Sequence, residues 1–513
     1  MTTIEYLSLN KGQKIAYKIS NFFVNIPKAI GSFFYKLPKR LLGFMKKLCS
    51  PFIVLKDALF YGDARVRLSF LFCGFGSITR HQVVRGCAAL LYEIVYIVYM
   101  ILAGGPQLAL LASLGTFSSI STGVPSPSGS GYVNVAINYD NSFTILLFAI
   151  FTILLSLFMI VVWYSSIKSA KILCDLERIG HHESDKQYMK DFLGKKFHTL
   201  LLSVPVVGLI LFTIVPVIYM VLVGFTNYNS YHLPNAALFE WVGWQNYQMM
   251  FTSSASATGS FIFLQTILLV LAWTLTWAFF ATFSNYFIGM VVAVMINRKG
   301  IKLKKLWRTI LVTTIAVPQF VSLLLVQQMF NENFGIFNSW ITSMGGQAVK
   351  WLSDGVIAKV VIIVVNTWVG IPYTMLICSG ILMNIPTDLY ESARIDGASP
   401  FKMYMKITLP YMLFITTPYL ISQFVGNINN FNIIYLLTSG GPLFQGVGSI
   451  QQLNGVGETD LLITWIYKMT VENAYKDYGA ASVLGVFVFA VVAFFSLIFY
   501  GRSNSVKNEE DFQ

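Results

Sequence analysis

Apolar residues run along this chain in blocks of membrane-spanning length, separated by polar segments. About 20 apolar residues carry a helix across the hydrocarbon layer. A backbone in that layer must pair its own polar groups, so each block predicts a helix rather than an irregular segment. Eight blocks are present, at roughly 86–104, 142–164, 200–224, 265–296, 307–330, 357–382, 409–437 and 478–500. The fourth is too long for one upright helix, so it tilts or extends past the bilayer. Divided into two short spans, it would invert everything that follows.

The charge in the loops decides between these arrangements. Residues 1–85 carry fourteen Lys or Arg against three acids, 105–141 carry none, 165–199 carry seven, and 225–264 again none. Arg298, Lys299, Lys302, Lys304, Lys305 and Arg308 then crowd one short turn. Only Lys350 and Lys359 lie near the next loop, and Arg394, Lys402 and Lys406 follow the sixth block. Basic loops stay on the cytoplasmic side. The alternation therefore predicts eight spans with both termini cytoplasmic, and a split fourth block would place the most basic turn outside.

Composition agrees with an all-α polytopic membrane protein: 55% of residues are hydrophobic and 12% charged, against about 25% charged in soluble chains. The net charge of +13 fits cytoplasmic loops facing anionic membrane lipid, without nucleic acid as a partner. The five cysteines are scattered, with no CxxC pair or zinc spacing, and read as free thiols. The opening residues lack a cleavable-signal pattern. Within residues 1–85, KISNFFVNIPKAIGSFFYKLPKRLLGFMKKL interleaves apolar residues with lysines, as interfacial amphipathic helices do. Pro27, Pro38 and Pro51 divide it into short pieces. The expected organisation is this basic segment over 1–85, two extra spans and a basic loop over 86–199, a six-helix core over 200–500, and a cytoplasmic tail over 501–513.

Polar residues inside the blocks are the candidate site. Glu93 in the first block must face protein or water, and a hydrogen bond to a neighbouring helix serves it best. Asn366 and Thr367 interrupt the sixth block beside Trp368, Gly370, Pro372 and Tyr373. Gln423, Asn427, Asn429 and Asn430 crowd the seventh beside Gly426 and Phe431. Neutral amides hydrogen-bond sugar hydroxyls and aromatic faces cover a sugar ring, so the cluster reads as a solute path. Helix-to-helix hydrogen bonding uses the same residue types. No phosphate-binding loop, zinc-protease helix or dinucleotide fingerprint is present, and the adjacent His181 and His182 lack metal-ligand companions. The chain therefore reads as neither an enzyme nor an ATPase and carries no cofactor or metal. A secondary sugar transporter would need a coupling-ion site, and no convincing ion cluster appears among the spans.

Between the sixth and seventh blocks runs ESARIDGASPFKMYMKITLP, Glu391–Pro410. It resembles the EAA coupling motif of ABC importer membrane subunits. Glu391, Ala393, Asp396, Gly397, Ala398, Ile407, Leu409 and Pro410 match, and Ser392 stands where alanine is commoner. Locally, Pro386 opens one helix, Gly397 permits a sharp turn, and a second helix follows.

Further segments resemble the larger permease subunit of the maltose and maltodextrin importer family in its Gram-positive form: Gly62–Phe70 (GDARVRLSF), Phe225–His232, Trp241–Tyr247, Asn297–Gly300, Asn366–Tyr373 (NTWVGIPY), Asn429–Pro442 (NNFNIIYLLTSGGP) and Thr459–Tyr467 (TDLLITWIY). The resemblance implies a type I importer permease fold in a bacterial cytoplasmic membrane. It implies as partners a second permease, two ATPase subunits that use ATP and Mg, an extracellular sugar-binding protein and an oligosaccharide. Carried over position by position, it puts Asn366, Gly370, Tyr373, Asn427 and Asn430 on the substrate path, and Glu391, Ala393, Asp396, Gly397 and Ala398 in ATPase coupling. Gly426 stands where the maltose subunit has an aromatic, Gln423 where it has serine, and Val369 where it has leucine. Importers of galacto-oligosaccharides or raffinose-like sugars are the alternative. About 40 residues follow the third span, where the Gram-negative subunit has a large folded domain.

Overall fold

The computed structural model describes residues 50–116, 120–125, 132–137, 140–232, 238–251, 260–298, 300–444, 455–473 and 476–502. Most of the basic N-terminal segment, Cys49, both termini and the tail beyond 502 lie outside the described residues. Among the described residues, six helices are long and apolar enough to cross a membrane, or seven when one bent pair counts as a span. The chain separates into two compact units, residues 1–109 with 147–213, and residues 110–146 with 214–513.

In the first unit, a short helix α1 (Ala64–Leu68) is capped by Asp63, which accepts from the Val66 amide at 3.0 Å. The first span, α2, runs over Val83–Leu110. The connection between α1 and α2 packs on α2 and on α3 (Ser142–Arg178) through backbone groups. The Trp163 indole donates to the Phe70 carbonyl at 2.9 Å, and the Gly74 amide donates to Ser166 Oγ at 2.6 Å. The Cys73 amide donates to Glu93 Oε2 at 2.7 Å. Glu93 is thus answered by a local hydrogen bond, as a carboxylate in an apolar span requires. At 37 residues, α3 is about 55 Å long and outlasts its apolar block by the stretch that carries Lys168 to Arg178. The short helix α4 (Asp185–Leu193) follows. The next apolar helix, α5, covers Phe197–Val223.

Residues Ile120–Pro125 and Tyr132–Ile137 form an antiparallel hairpin, with Ile120 opposite Ile137 and Pro125 opposite Tyr132. The helical pattern of the spans does not foresee it.

The second unit is organised around α6, Ser260–Asn297, one unbroken 38-residue helix where the fourth apolar block lies. Its buried residues alternate small ones, Thr274, Ala278, Ala281, Thr282 and Ala293, with the large Trp277, Tyr286 and Met290. A methyl at Gly289 would come 2.7 Å from Thr374 Cβ. Apolar side chains gain little by leaving lipid for protein, so close backbone approach and interhelical hydrogen bonds hold membrane helices together. Against this face lies α9, Gly355–Leu382, whose first turn is capped by Asp354 at 3.0 and 2.9 Å. Trp277, Val361, Ile362 and Val365 join Leu323, Ile433, Ile434 and Leu461 in the surrounding apolar cluster.

Two blocks depart from straight spans. The fifth is two helices, with Lys304–Ala316 (containing α7, Lys304–Thr313) bent by 91° from α8, Gln319–Met329. Pro318 is the cause: it has no amide to donate, and it forces Val317 into the extended conformation, φ −78° and ψ 127°. The seventh divides at its asparagines. The helix ends at Ile428, Asn429 and Asn430 leave helical geometry, and a separate helix spans Phe431–Thr438. Asparagine side chains compete with helical backbone bonds, so a break is placed most easily there.

Candidate functional site

The segment Glu391–Pro410 takes the helix, turn and helix that its sequence suggests. Helix α10, Thr387–Ile395, starts after Pro386. It closes through the Gly397 amide to the Arg394 carbonyl at 3.0 Å and the Ala398 amide to the Ala393 carbonyl at 2.9 Å. Gly397 has φ +69°, with open space where a Cβ would stand. This is the left-handed residue that ends a helix most cheaply as glycine. Ser399 then caps α11, Pro400–Met403, by accepting from the Lys402 amide at 3.3 Å. A π-helical turn, Tyr404–Thr408, joins α11 directly to α12, Leu409–Ile428. The turn after Gly397 is therefore the end of one continuous rod that includes most of the seventh block. Tyr390 on α10 ties to that rod, its hydroxyl 2.8 Å from Thr408 Oγ1.

Glu391, Asp396 and Gly397 are exposed, and Ala393 and Ala398 half-buried. Sequence reasoning passed over the two apolar side chains that flank the turn, Ile395 at 87% exposed and Phe401 at 74%. Such exposure on a short polar connector is the signal that could have found them.

The five residues that the resemblance suggests for the path divide between two surroundings. Asn366 and Asn427 are buried against α6. The Asn366 amide donates to the Ala281 carbonyl at 3.4 Å, and the Asn427 amide to Thr282 Oγ1 at 3.0 Å. The Trp277 indole donates to the Asn427 carbonyl at 3.0 Å. Gly370 meets α6 as well, because a Cβ there would overlap the Asn285 side-chain amide. Asn430 reaches Asn427, donating to its Oδ1 at 3.2 Å. Tyr373 is 52% exposed, its ring centroid 6.4 Å from that of Tyr419. Gly426 is exposed with nothing within 4 Å of an added Cβ.

The structure therefore brings Asn427 and Asn430 together and sets Asn366 and Gly370 on the same α6 face, while Tyr373 stands outward. Ser284 Oγ and Thr367 Oγ1, 2.7 Å apart, extend the polar seam. Asn285 belongs to it and was missed from the sequence. Its Oδ1 is buried with no partner among the described residues, so this amide keeps acceptor capacity. An isolated amide within a long apolar block is the signal that would have marked it. No group of three or more potential metal ligands occurs among the described residues.

Residues 285–505 match the family model described as the binding-protein-dependent transport system inner membrane component. The chain is 33% identical over 381 residues to the galactooligosaccharides transport system permease protein GanP of Bacillus subtilis, covering 72% of this chain and 85% of that protein. It is 30% identical over 451 residues to the maltodextrin transport system permease protein MalC of Streptococcus pneumoniae, covering 85% and 95%. A crystal structure of a bacterial ABC transporter involved in import of the acidic polysaccharide alginate aligns over 62% of this chain and 99% of that one, at 20% identity and a TM-score of 0.45. On the extent of these matches to the permease proteins, the chain belongs to the binding-protein-dependent sugar-permease family of ABC transporters and is a membrane-spanning transport subunit, not an enzyme.

Proposed function

We propose that this chain is the larger membrane subunit of an ATP-driven importer of malto-oligosaccharides, crossing a bacterial cytoplasmic membrane eight times with both termini in the cytoplasm. The sugar passes along Asn366, Gly370, Tyr373, Asn427 and Asn430. One observation carries this reading. Asn430 is only half-buried, and among the described residues its side chain makes one hydrogen bond, to Asn427 Oδ1, beside the open space at Gly426. An amide so placed keeps its own Oδ1 and second N–H for a sugar hydroxyl while its bond to the buried Asn427 stays in place.

The remaining machinery follows from what the chain lacks. With no phosphate-binding loop of its own, it draws on two ATPase subunits that bind ATP with Mg. A second permease closes the outward side of the path, and an extracellular sugar-binding protein delivers substrate. The ATPases contact the segment from Glu391 to Ala398, with Ile395 and Phe401 as apolar anchors. Tyr390 and the continuous rod from Pro400 carry the ATPase motion to Asn427.

A second substrate reading, galacto-oligosaccharides, is favoured by the similarity to GanP. Uptake competition in reconstituted complexes separates the two. Maltotriose should suppress uptake of labelled maltose at concentrations where raffinose and galacto-oligosaccharides do not. The reverse order assigns the galacto-oligosaccharide class.

A further inference from the structure

Two adjoining hollows in the first unit have no part in sugar passage. One is a cavity of about 430 Å³ whose lining includes Arg85, Lys168, Lys195, Lys196, Glu183 and Asp191. The other is an apolar groove of about 380 Å³ along Ala88, Ala89, Tyr92, Phe158 and Val161. Arg85 and Ser165 line both, so the two hollows share a wall.

The cavity is cationic after its internal pairs are counted. Lys195 pairs with Asp191 at 3.2 Å. Glu183 accepts from Gln82 at 3.3 Å. Arg85 lies over the Tyr188 ring, 4.8 Å from its centroid. Lys168 and Lys196 have no carboxylate partner among the described residues. One wall is held in place by Asp185 at the start of α4, whose carboxylate accepts the Val83 amide of α2 at 2.9 Å.

The junction also falls where α3 changes character. From Phe143 to Ile167 the helix carries no charge, and Lys168 is the first charged residue. Phe158 and Val161 come from the uncharged stretch and line the groove. Lys168 comes from the charged extension and lines the cavity. A cationic pocket beside an apolar furrow at the edge of a membrane helix matches a charged headgroup joined to an acyl chain.

We propose that this pair of hollows binds one anionic phospholipid, with its phosphate against Arg85, Lys168 and Lys196 and one acyl chain along Ala89, Tyr92, Phe158 and Val161. A cation near an anionic headgroup strengthens binding roughly fivefold. Removing two of the three should weaken retention roughly tenfold or more.

The test is native mass spectrometry of the full chain, purified with its companion subunits in mild detergent. The complex is incubated with equal amounts of phosphatidylglycerol and phosphatidylcholine of the same acyl chains. Phosphatidylglycerol should be retained about tenfold more than phosphatidylcholine, and the double variant Lys168→Gln, Lys196→Gln should reduce that preference. Ala89→Trp fills the groove without altering charge and should lower retention of both lipids. If the charge variant fails to assemble, the wild-type preference and Ala89→Trp decide alone. Equal retention of the two lipids, or an undiminished adduct in Ala89→Trp, overturns the proposal. Displacement of phosphatidylglycerol by inorganic phosphate at equal concentration assigns the cavity to a soluble anion and also overturns it.

Discussion

Lys468 donates to the carboxylate of Asp460 at 2.6 Å with both side chains buried. The same carboxylate accepts from the Gly457 amide at 2.7 Å and the Thr464 hydroxyl at 2.8 Å. Gly440, at φ +78°, leaves no room for a side chain beside it. Thr438 Oγ1 and Thr459 Oγ1 lie 2.8 Å apart next to it. The two stretches NNFNIIYLLTSGGP and TDLLITWIY are fastened to each other through Thr459, whose hydroxyl also donates to the Gly441 carbonyl at 2.6 Å, while Asp460 packs against Gly440.

Breaking this pair from one side strands a buried charge. Asp460→Asn should therefore destabilise the second unit by about 3–5 kcal/mol. Asp460→Asn combined with Lys468→Met should cost less than Asp460→Asn alone. Thermal unfolding in detergent, followed by tryptophan fluorescence, checks the order. A single variant as stable as wild type contradicts it.

The first unit should be acid-labile through Asp63. Burial raises this carboxyl. The hydrogen bonds from Arg80 and the Val66 amide, with the charges of Arg80 and Arg65, outweigh that effect and hold it below the usual carboxylate range. A carboxyl depressed on folding contributes stability that is present above its unfolded value, about pH 4. That stability is lost as pH falls through the folded value. Proteolytic cleavage between Gly62 and Arg80 should accelerate below about pH 4. Asp63→Asn should be cleaved faster at neutral pH and show a flatter acid response.

Gly397 tests the coupling turn. Alanine meets no atom there but must adopt φ +69°, a strain of about 1 kcal/mol. Proline cannot reach that angle and loses the amide bond to Arg394. Gly397→Ala should retain most transport. Gly397→Pro should abolish ATP-driven uptake while the protein remains in the membrane at normal yield. Normal uptake by the proline variant refutes the coupling role.

Topology is open to cysteine labelling in a background lacking the five natural cysteines. Single cysteines at Tyr231 and Ser343 should react with an impermeant reagent added outside, and those at Gly300 and Ala398 should not. Reaction at Gly300 from outside rules out the eight-span arrangement.

The apolar blocks made most helices legible before any coordinates. They gave no sign of where the fifth and seventh would break. Those breaks depend on single residues, Pro318 and the Asn429–Asn430 pair, and an average over twenty positions cannot see them. Site legibility failed differently. Asn366 and Asn427 are conspicuous because two blocks carry amides, but the sequence could not say that both face α6. Asn285 lies against Gly370 from a distant part of the chain, a contact only the packed helices reveal. Asp460 was visible within a recognisable stretch, yet its partner Lys468 lies just beyond the end of that stretch.

The sugar path reading makes different demands on two neighbouring asparagines. Asn427 is buried, its side-chain amide donating to Thr282 Oγ1 of α6 and its Oδ1 accepting from Asn430. Asn427→Ala should therefore loosen helix packing and lower the yield of assembled complex. Asn430 contributes only the bond to Asn427 Oδ1 and is half-buried, so Asn430→Ala should leave assembly and basal ATPase activity intact. Losing an amide contact to a buried partner costs about 1–3 kcal/mol. Where that loss falls on the transported state, uptake per complex should slow roughly 5–150-fold. Gly370→Ala supplies the control for crowding. Its methyl would displace the Asn285 amide and should impair assembly and uptake together. The decisive measurement is uptake normalised to complex recovered from the same preparation. If Asn430→Ala lowers recovery but transports normally per complex, both asparagines are packing residues and sugar passes elsewhere. If Asn427→Ala assembles normally and loses uptake, its side-chain bond to α6 is not what holds the helices, and sugar contact must account for its conspicuous place beside Asn430.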